Sequence, residues 1–214
     1  MKYYHIMIAG VGGQGNLLLS RIIGDAALSR GLRVRLGETF GAAQRGGSVH
    51  SHVRIGREVY GPLMLEDEAD ALLALEPLEG LRRGVQYLKE GGLAVLNTRK
   101  VSSIDVNVGI AKYPNIEEII ESFKKLKARI IYHDFTKIAE EVGSPRLMNV
   151  VILGVFAGIA ENELPFTTED LRTAVRNRVP SRWVELNLRA FDRGYEFSKS
   201  YSSSGCPCPL AKLF

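Results

Sequence analysis

The stretch I-M-I-A-G-V-G-G-Q-G, from Ile6 to Gly15, leaves few choices for the fold of this chain. The apolar run from Tyr3 to Ala9 reads as a buried strand, and Gln14 to Arg30 reads as a helix. Between them Gly10, Gly12 and Gly15 fall in the spacing G-x-G-x-x-G. The first glycine allows a tight turn, the second lets backbone approach a phosphate, and the third lets the helix pack on the strand. Free N–H groups of the helix's first turn then face outward with the positive end of the helix dipole behind them. The stretch is a candidate anion site. A purely structural glycine turn is the alternative.

Length and composition fit one soluble domain. The 214 residues can bury a full core, and 45% apolar with 24% charged residues is ordinary globular usage. The expected organisation is a single α/β domain over residues 1–200, with residues 201–214 as a flexible tail. No apolar run reaches the roughly 18 residues needed to cross a bilayer. Met1 leads straight into the first strand, so no signal peptide is expected and the cytoplasm is the expected compartment. The charge of +4 comes from 28 basic residues against 24 acidic ones. These are scattered and not interleaved with aromatics, which argues against nucleic-acid binding. Cys206 and Cys208 stand alone in the tail, which excludes a disulfide framework. Two thiolates do not make a closed metal or cluster site.

Past Gly31, Leu32 to Leu36 alternates as a second strand, and Glu38 follows just beyond its end. A dinucleotide-binding unit places its ribose-binding carboxylate there, although an ordinary loop carboxylate fits equally well. The segment from Thr39 to Ser48 is rich in glycine and alanine and reads as a tight loop. Within it Gly46, Gly47 and Ser48 could present successive N–H groups to an anion, Arg45 supplies a forked cation, and Gln44 precedes it. Val49 to Ile55 reads as a strand that turns at Gly56-Arg57 and returns over Glu58 to Tyr60 as a hairpin. His50 and His52 would share one face of that strand, as a metal pair lacking a third ligand or, more simply, as two strand histidines.

Further strands are expected over Ala69–Ala74, Leu93–Asn97 and Ala128–His133, separated by helices from Pro77 and from Ile116. That alternation argues for a mostly parallel, Rossmann-like sheet covered by helices in three layers, with the β-hairpin added. Asn97 would lie at a strand's C-terminal end, where ligands of open α/β sheets collect. Val101 to Ala111 reads as irregular. Further helices are expected over Phe135–Val142, over Asn149–Ala160, from the cap at Thr167 to Arg178, and over Pro180–Lys199. Asn149 to Ala160 is apolar on every face and is either a buried or an interface helix. Gly154 and Gly158 in it would let another helix come close.

Several signatures are missing from the sequence: a serine-centred elbow, an H-E-x-x-H pair, a lysine-containing phosphate loop, a thiamine-binding G-D-G segment and a four-cysteine cluster motif. His133 is the only histidine beyond the first half of the sheet. The chain can bind an anion and pack on another protein, and it is not expected to catalyse a reaction alone. An NAD- or FAD-binding dehydrogenase using Gly10, Gly12, Gly15 and Glu38 remains open, as does a free-standing anion-binding or regulatory module.

Certain segments taken in order carry a family resemblance: G-V-G-G-Q-G at 10–15, E-T-F-G-A-A-Q-R-G-G-S-V at 38–49, H-V-R-I-G at 52–56 and A-D-A-L-L-A-L-E-P-L-E at 69–79. They continue with L-N-T at 96–98, Y-P at 113–114, N-V-V-I-L-G at 149–154 and N-L-R-A-F-D-R-G at 187–194. Together they resemble the gamma-type small subunit of 2-oxoacid:ferredoxin oxidoreductases over about nine-tenths of the chain. The resemblance implies a heteromeric oxidoreductase acting on an aryl 2-oxoacid such as indolepyruvate. Its larger subunit would hold thiamine diphosphate, magnesium and iron–sulfur clusters, form the acyl-CoA and pass electrons to ferredoxin. Carried over, Gly12, Gly13, Gln14 and Gly15 would form one loop, and Gln44, Arg45, Gly46 and Gly47 a second. No catalytic residue or metal ligand is expected in this chain. The two loops, side by side at the sheet's C-terminal edge, would meet the phosphates of coenzyme A or of the partner's cofactor, with Gln14 orienting by hydrogen bonding, or else the partner subunit itself. Two features depart from the family: Phe40 stands where it usually has histidine, and its pattern does not include the Cys206/Cys208 tail.

Overall fold

The computed structural model describes residues 3–40, 47–101 and 113–203. β1 (Tyr3–Val11) leads through the glycine turn into α1 (Asn16–Ser29), followed by β2 (Arg33–Phe40), β3 (Ser48–Gly56) and β4 (Ala69–Ala74). Helices and strands then alternate: α2 (Pro77–Tyr87), β5 (Leu88–Asn97), α3 (Ile116–Lys125), β6 (Arg129–His133) and α4 (Phe135–Val142). Three helices follow, α5 (Met148–Ile159), α6 (Thr168–Arg178) and α7 (Val184–Ser203). The cap read at Thr167 is present: its hydroxyl accepts from Asp170 N at 3.2 Å, and Asp170 Oδ2 accepts from Thr167 N at 2.7 Å.

The strands form one sheet in the order β2-β3-β1-β4-β5-β6. β1, β4, β5 and β6 are parallel, whereas β3 runs antiparallel to both β1 and β2. Tyr4, Ile6 and Ile8 of β1 point into the core beneath α1, α4, α5, α6 and α7, and Met7 and Ala9 point into the core beneath α2 and α3. Both faces are covered, which explains why these strands read as continuous apolar runs. The three-layer, mostly parallel α/β architecture is the one expected.

The hairpin is not. Residues 58–60 form no strand, because β3 already has β1 along one edge and β2 along the other. Side chains meet the carbonyls of this connection instead. Arg54 donates to the carbonyl oxygens of Gly61 and Leu63 at 3.2 and 2.8 Å, and Arg35 donates to that of Tyr60 at 3.3 Å. The antiparallel partner of β3 in sequence is β2, which extends to Phe40 and so contains Glu38.

α5 is the buried helix, not an exposed interface helix: its residues from Met148 to Ala157 are all buried. It packs on α7 at a distance only glycine permits. A Cβ on Gly154 would lie 2.0 Å from the Phe191 carbonyl oxygen, and one on Gly194 2.1 Å from that of Val151. These two backbone-to-backbone contacts bring the helices together, and Gly158 makes room for the Ser198 side chain in the same seam.

On the opposite face, His50 and His52 are buried with ring centroids 5.4 Å apart. Tyr87 of α2 meets His52 edge-on at 5.1 Å. Met64 N donates to His52 Nδ1 at 3.2 Å, so that nitrogen carries no proton. Among the described residues, no group of three His, Cys, Asp or Glu side chains is placed to hold a metal. Burial, then Arg83, then His52 lower the His50 pKa to about 4.

Two measurements check these contacts. Gly154→Ala should cost about 3 kcal/mol by forcing α5 and α7 apart. It should lower Tm by roughly 6–12 °C. Gly31→Ala, where φ is +71° but nothing lies within 4 Å, should lose only the left-handed backbone preference of about 1 kcal/mol. The second concerns pH. His50 titrates near 6.5 when unfolded and near 4 when folded, so the unfolded state binds the extra proton between those values. Stability is present above pH 6.5 and falls as pH drops toward 4. Denaturant melts of His50→Gln should show that slope reduced, by on the order of 2 kcal/mol across the window.

Candidate functional site

The glycine turn sits at the C-terminal end of β1, in the middle of the sheet. Gly13 and Gly15 have φ of +101° and +89°, a backbone region L residues avoid. Gly15 is also pressed against α5, where an added Cβ would come within 2.1 Å of Asn149 Nδ2. It caps α1 without a side-chain hydrogen bond, and no acidic residue stands in that helix's first turn. Those first-turn N–H groups therefore keep their bias toward an anion.

Side-chain amides fix the turn to its neighbours. Gln14 folds back over Gly10, its Oε1 accepting from Val11 N at 2.8 Å and its Nε2 donating to the Leu75 carbonyl at 3.2 Å. Asn97, 1% exposed, donates to the same carbonyl at 3.1 Å and to Thr136 Oγ1 at 3.1 Å. The ends of β1, β4 and β5 are thus stitched by Gln14 and Asn97. On the other side Asn16 Nδ2 donates to the Val49 carbonyl at 3.1 Å. Gly12 N donates to the Gly47 carbonyl at 2.9 Å, so the glycine turn lies directly beside the end of the second loop. Gln44, Arg45 and Gly46 lie outside the described residues, as do Cys206 and Cys208.

Glu38 is inside β2, opposite Ser51, rather than past a strand end. Its carboxylate accepts from Ser20 Oγ at 2.8 Å and from Ser51 Oγ at 2.5 Å. β3 separates β2 from β1, so Glu38 stands one strand further from the glycine turn than the acid of a dinucleotide-binding unit does. Ser48 opens β3, and its hydroxyl donates to Glu79 Oε2 at 2.5 Å.

Two carboxylates that the sequence left without a role complete this edge. Glu76, 1% exposed, caps α2 by accepting from Glu79 N at 2.8 Å and also accepts from the Tyr113 hydroxyl. Burial raises its pKa, against the opposing effect of these hydrogen bonds. Glu79, also buried, accepts from Arg82 Nη1 at 2.6 Å as well as from Ser48. The signal for this cap was present in L-E-P-L-E, where a proline begins the helix and Glu79 falls at its third position. Among the described residues, the edge is a backbone shelf whose side chains bond to strand-end backbone and to each other.

Comparison with known proteins matches residues 5–197 to the family described as pyruvate ferredoxin/flavodoxin oxidoreductase. The chain is 45% identical over 191 residues to the indolepyruvate oxidoreductase subunit IorB of Archaeoglobus fulgidus, covering 89% of this chain and 93% of that one. It is 40% identical to the IorB subunit of Pyrococcus horikoshii, over 93% of this chain and 98% of that one. Its fold is similar to that of a keto/oxoacid ferredoxin oxidoreductase gamma subunit from Geobacter sulfurreducens, with a TM-score of 0.67 and 27% identity, covering 92% and 99% of the two chains. The chain belongs to the pyruvate ferredoxin/flavodoxin oxidoreductase family, among the small subunits of 2-oxoacid:ferredoxin oxidoreductases.

Proposed function

We propose that this chain is the non-thiamine subunit of an indolepyruvate, or closely related aryl 2-oxoacid, ferredoxin oxidoreductase. It works in the cytoplasm bound to a larger chain that holds thiamine diphosphate, magnesium and iron–sulfur clusters. That partner forms the acyl-CoA and hands electrons to ferredoxin. The observation that carries the substrate is the 45% identity to an indolepyruvate oxidoreductase subunit along nearly the whole chain.

The two glycine loops are assigned to the phosphates of coenzyme A. The contact from Gly12 N to the Gly47 carbonyl supports this by putting the loops side by side. The fit is electrostatic: the α1 N-terminus has neither a side-chain cap bond nor an acid in its first turn, and Arg45 is two residues before Gly47. Coenzyme A would bring the thiol that accepts the acyl group. This chain's residues would hold its phosphates and leave the chemistry to the partner. Gln14 and Asn97, bonded to Leu75, would keep the shelf rigid instead of touching the ligand. A second reading, that the loops are the subunit contact, is favoured by Leu17, which is 37% exposed in the first turn of α1.

The complex, co-expressed with its large chain, should reduce a ferredoxin or dye only when indolepyruvate and coenzyme A are both present, and the isolated chain should not. In that complex Arg45→Ala should raise the KM for coenzyme A about tenfold while leaving the KM for the 2-oxoacid nearly unchanged. Dissociation of the subunits on size exclusion would instead assign the loop to the interface.

A further inference from the structure

A second concave site lies three strands away from the glycine turn. A cavity of about 520 Å³ opens at the C-terminal ends of β5 and β6, a size ordinary for a small-molecule pocket. At the inter-strand spacing of a sheet, roughly 14 Å separates β6 from β1.

Its walls are apolar and come from three helices: Ile116 and Ile120 of α3, Ile138 of α4 and Phe197 of α7. Tyr132 and His133 at the end of β6 line it as well. The His133 imidazole is held between Phe197 at 5.0 Å and Phe135 at 5.8 Å. Burial lowers its pKa, so it is a neutral ring facing the cavity.

The mouth carries two opposite charges on one face of α4, Lys137 and Glu141. Lys137 precedes Glu141 by four residues, the less favourable order for a pair on a helix. Here they form no ion pair with one another, and neither side chain has a hydrogen-bond partner among the described residues. The other charges at this rim are already engaged. Arg193 pairs with Glu196 at 3.1 Å, and Asp134 pairs with Arg99 at 2.9 Å while capping α4. Both Lys137 and Glu141 are close enough to influence His133 electrostatically, one from each direction of charge. An anion alone would meet Glu141 unfavourably, and a cation alone would meet Lys137. A head group with both charges satisfies the two at once.

We propose that this pocket binds a free α-amino acid with an aromatic side chain. The ring enters between Ile116, Ile120, Ile138 and Phe197, Lys137 pairs with the carboxylate, and Glu141 pairs with the ammonium group. The site does not depend on the function of the glycine loops, and the residues that line it include none of theirs.

Calorimetric titration of the full chain with L-phenylalanine tests it, with phenylacetate and phenethylamine each lacking one charge. L-Phenylalanine should bind with Kd on the order of 1 mM or tighter, and each analogue about tenfold more weakly. Lys137→Met and Glu141→Gln, both at the pocket mouth, should each weaken L-phenylalanine about tenfold without moving Tm. No heat of binding for L-phenylalanine would overturn the proposal. Equal affinity for either single-charge analogue would overturn it too, as would undiminished binding in both variants.

Discussion

One strand running against the rest decides how this molecule is arranged. β3 enters between β1 and β2 and pairs with β1 over nine residues, from Tyr3 opposite Gly56 to Val11 opposite Ser48. In a dinucleotide-binding unit β2 lies beside β1, and the acid at its end faces the glycine turn. Here that position is filled from the opposite direction. β3 begins where β1 ends, so the loop leading into β3 arrives at the glycine turn, and Gly12 bonds to Gly47. The same insertion moves Glu38 outward, where two serine hydroxyls hold its carboxylate. A glycine motif shared with nucleotide-binding proteins therefore stands beside Gly47, not beside a ribose-binding acid.

The core keeps this edge still. α5 is buried along nearly its full length, and the glycines at its contact with α7 let the backbones meet almost without intervening side chains. α5 also delivers Asn149 to Gly15, so the close helix packing and the glycine turn are parts of one mechanical unit. Interiors packed at this density do not deform continuously, which favours a fixed shelf over a mobile loop at the end of β1.

Much of this was legible in the sequence because it follows local rules. The apolar runs of β1, β4 and β5, the glycine turn, the Thr167 cap and the close-approach glycines of α5 each lie within a few consecutive residues. The misreadings needed information from further away. Glu58 to Tyr60 looked like a returning strand, but β3 had no free edge left for it, a fact set by β1 some 50 residues earlier in the chain. Gln14 has a partner that local sequence does not announce, the Leu75 carbonyl, 61 residues on. The Ser48 hydroxyl meets Glu79, 31 residues later. Side-chain amides and hydroxyls bind whatever the fold brings to them, and no periodicity encodes that.

This inward bonding also bears on what the chain can do. Buried polar groups cost free energy unless paired, and here Gln14, Asn97, Ser48, Glu76 and Glu79 pair with one another or with strand ends. Groups engaged in this way are poor candidates for moving protons in a reaction, since each transfer would break a bond that holds the edge together. Among the described residues, what the edge still presents is largely backbone: the exposed Gly13 tip and the α1 N-terminus, whose N–H groups cannot ionise or act as nucleophiles. Such a surface can hold a charged group in place. A holding role of that kind suits a small subunit in a family of oxidoreductase complexes.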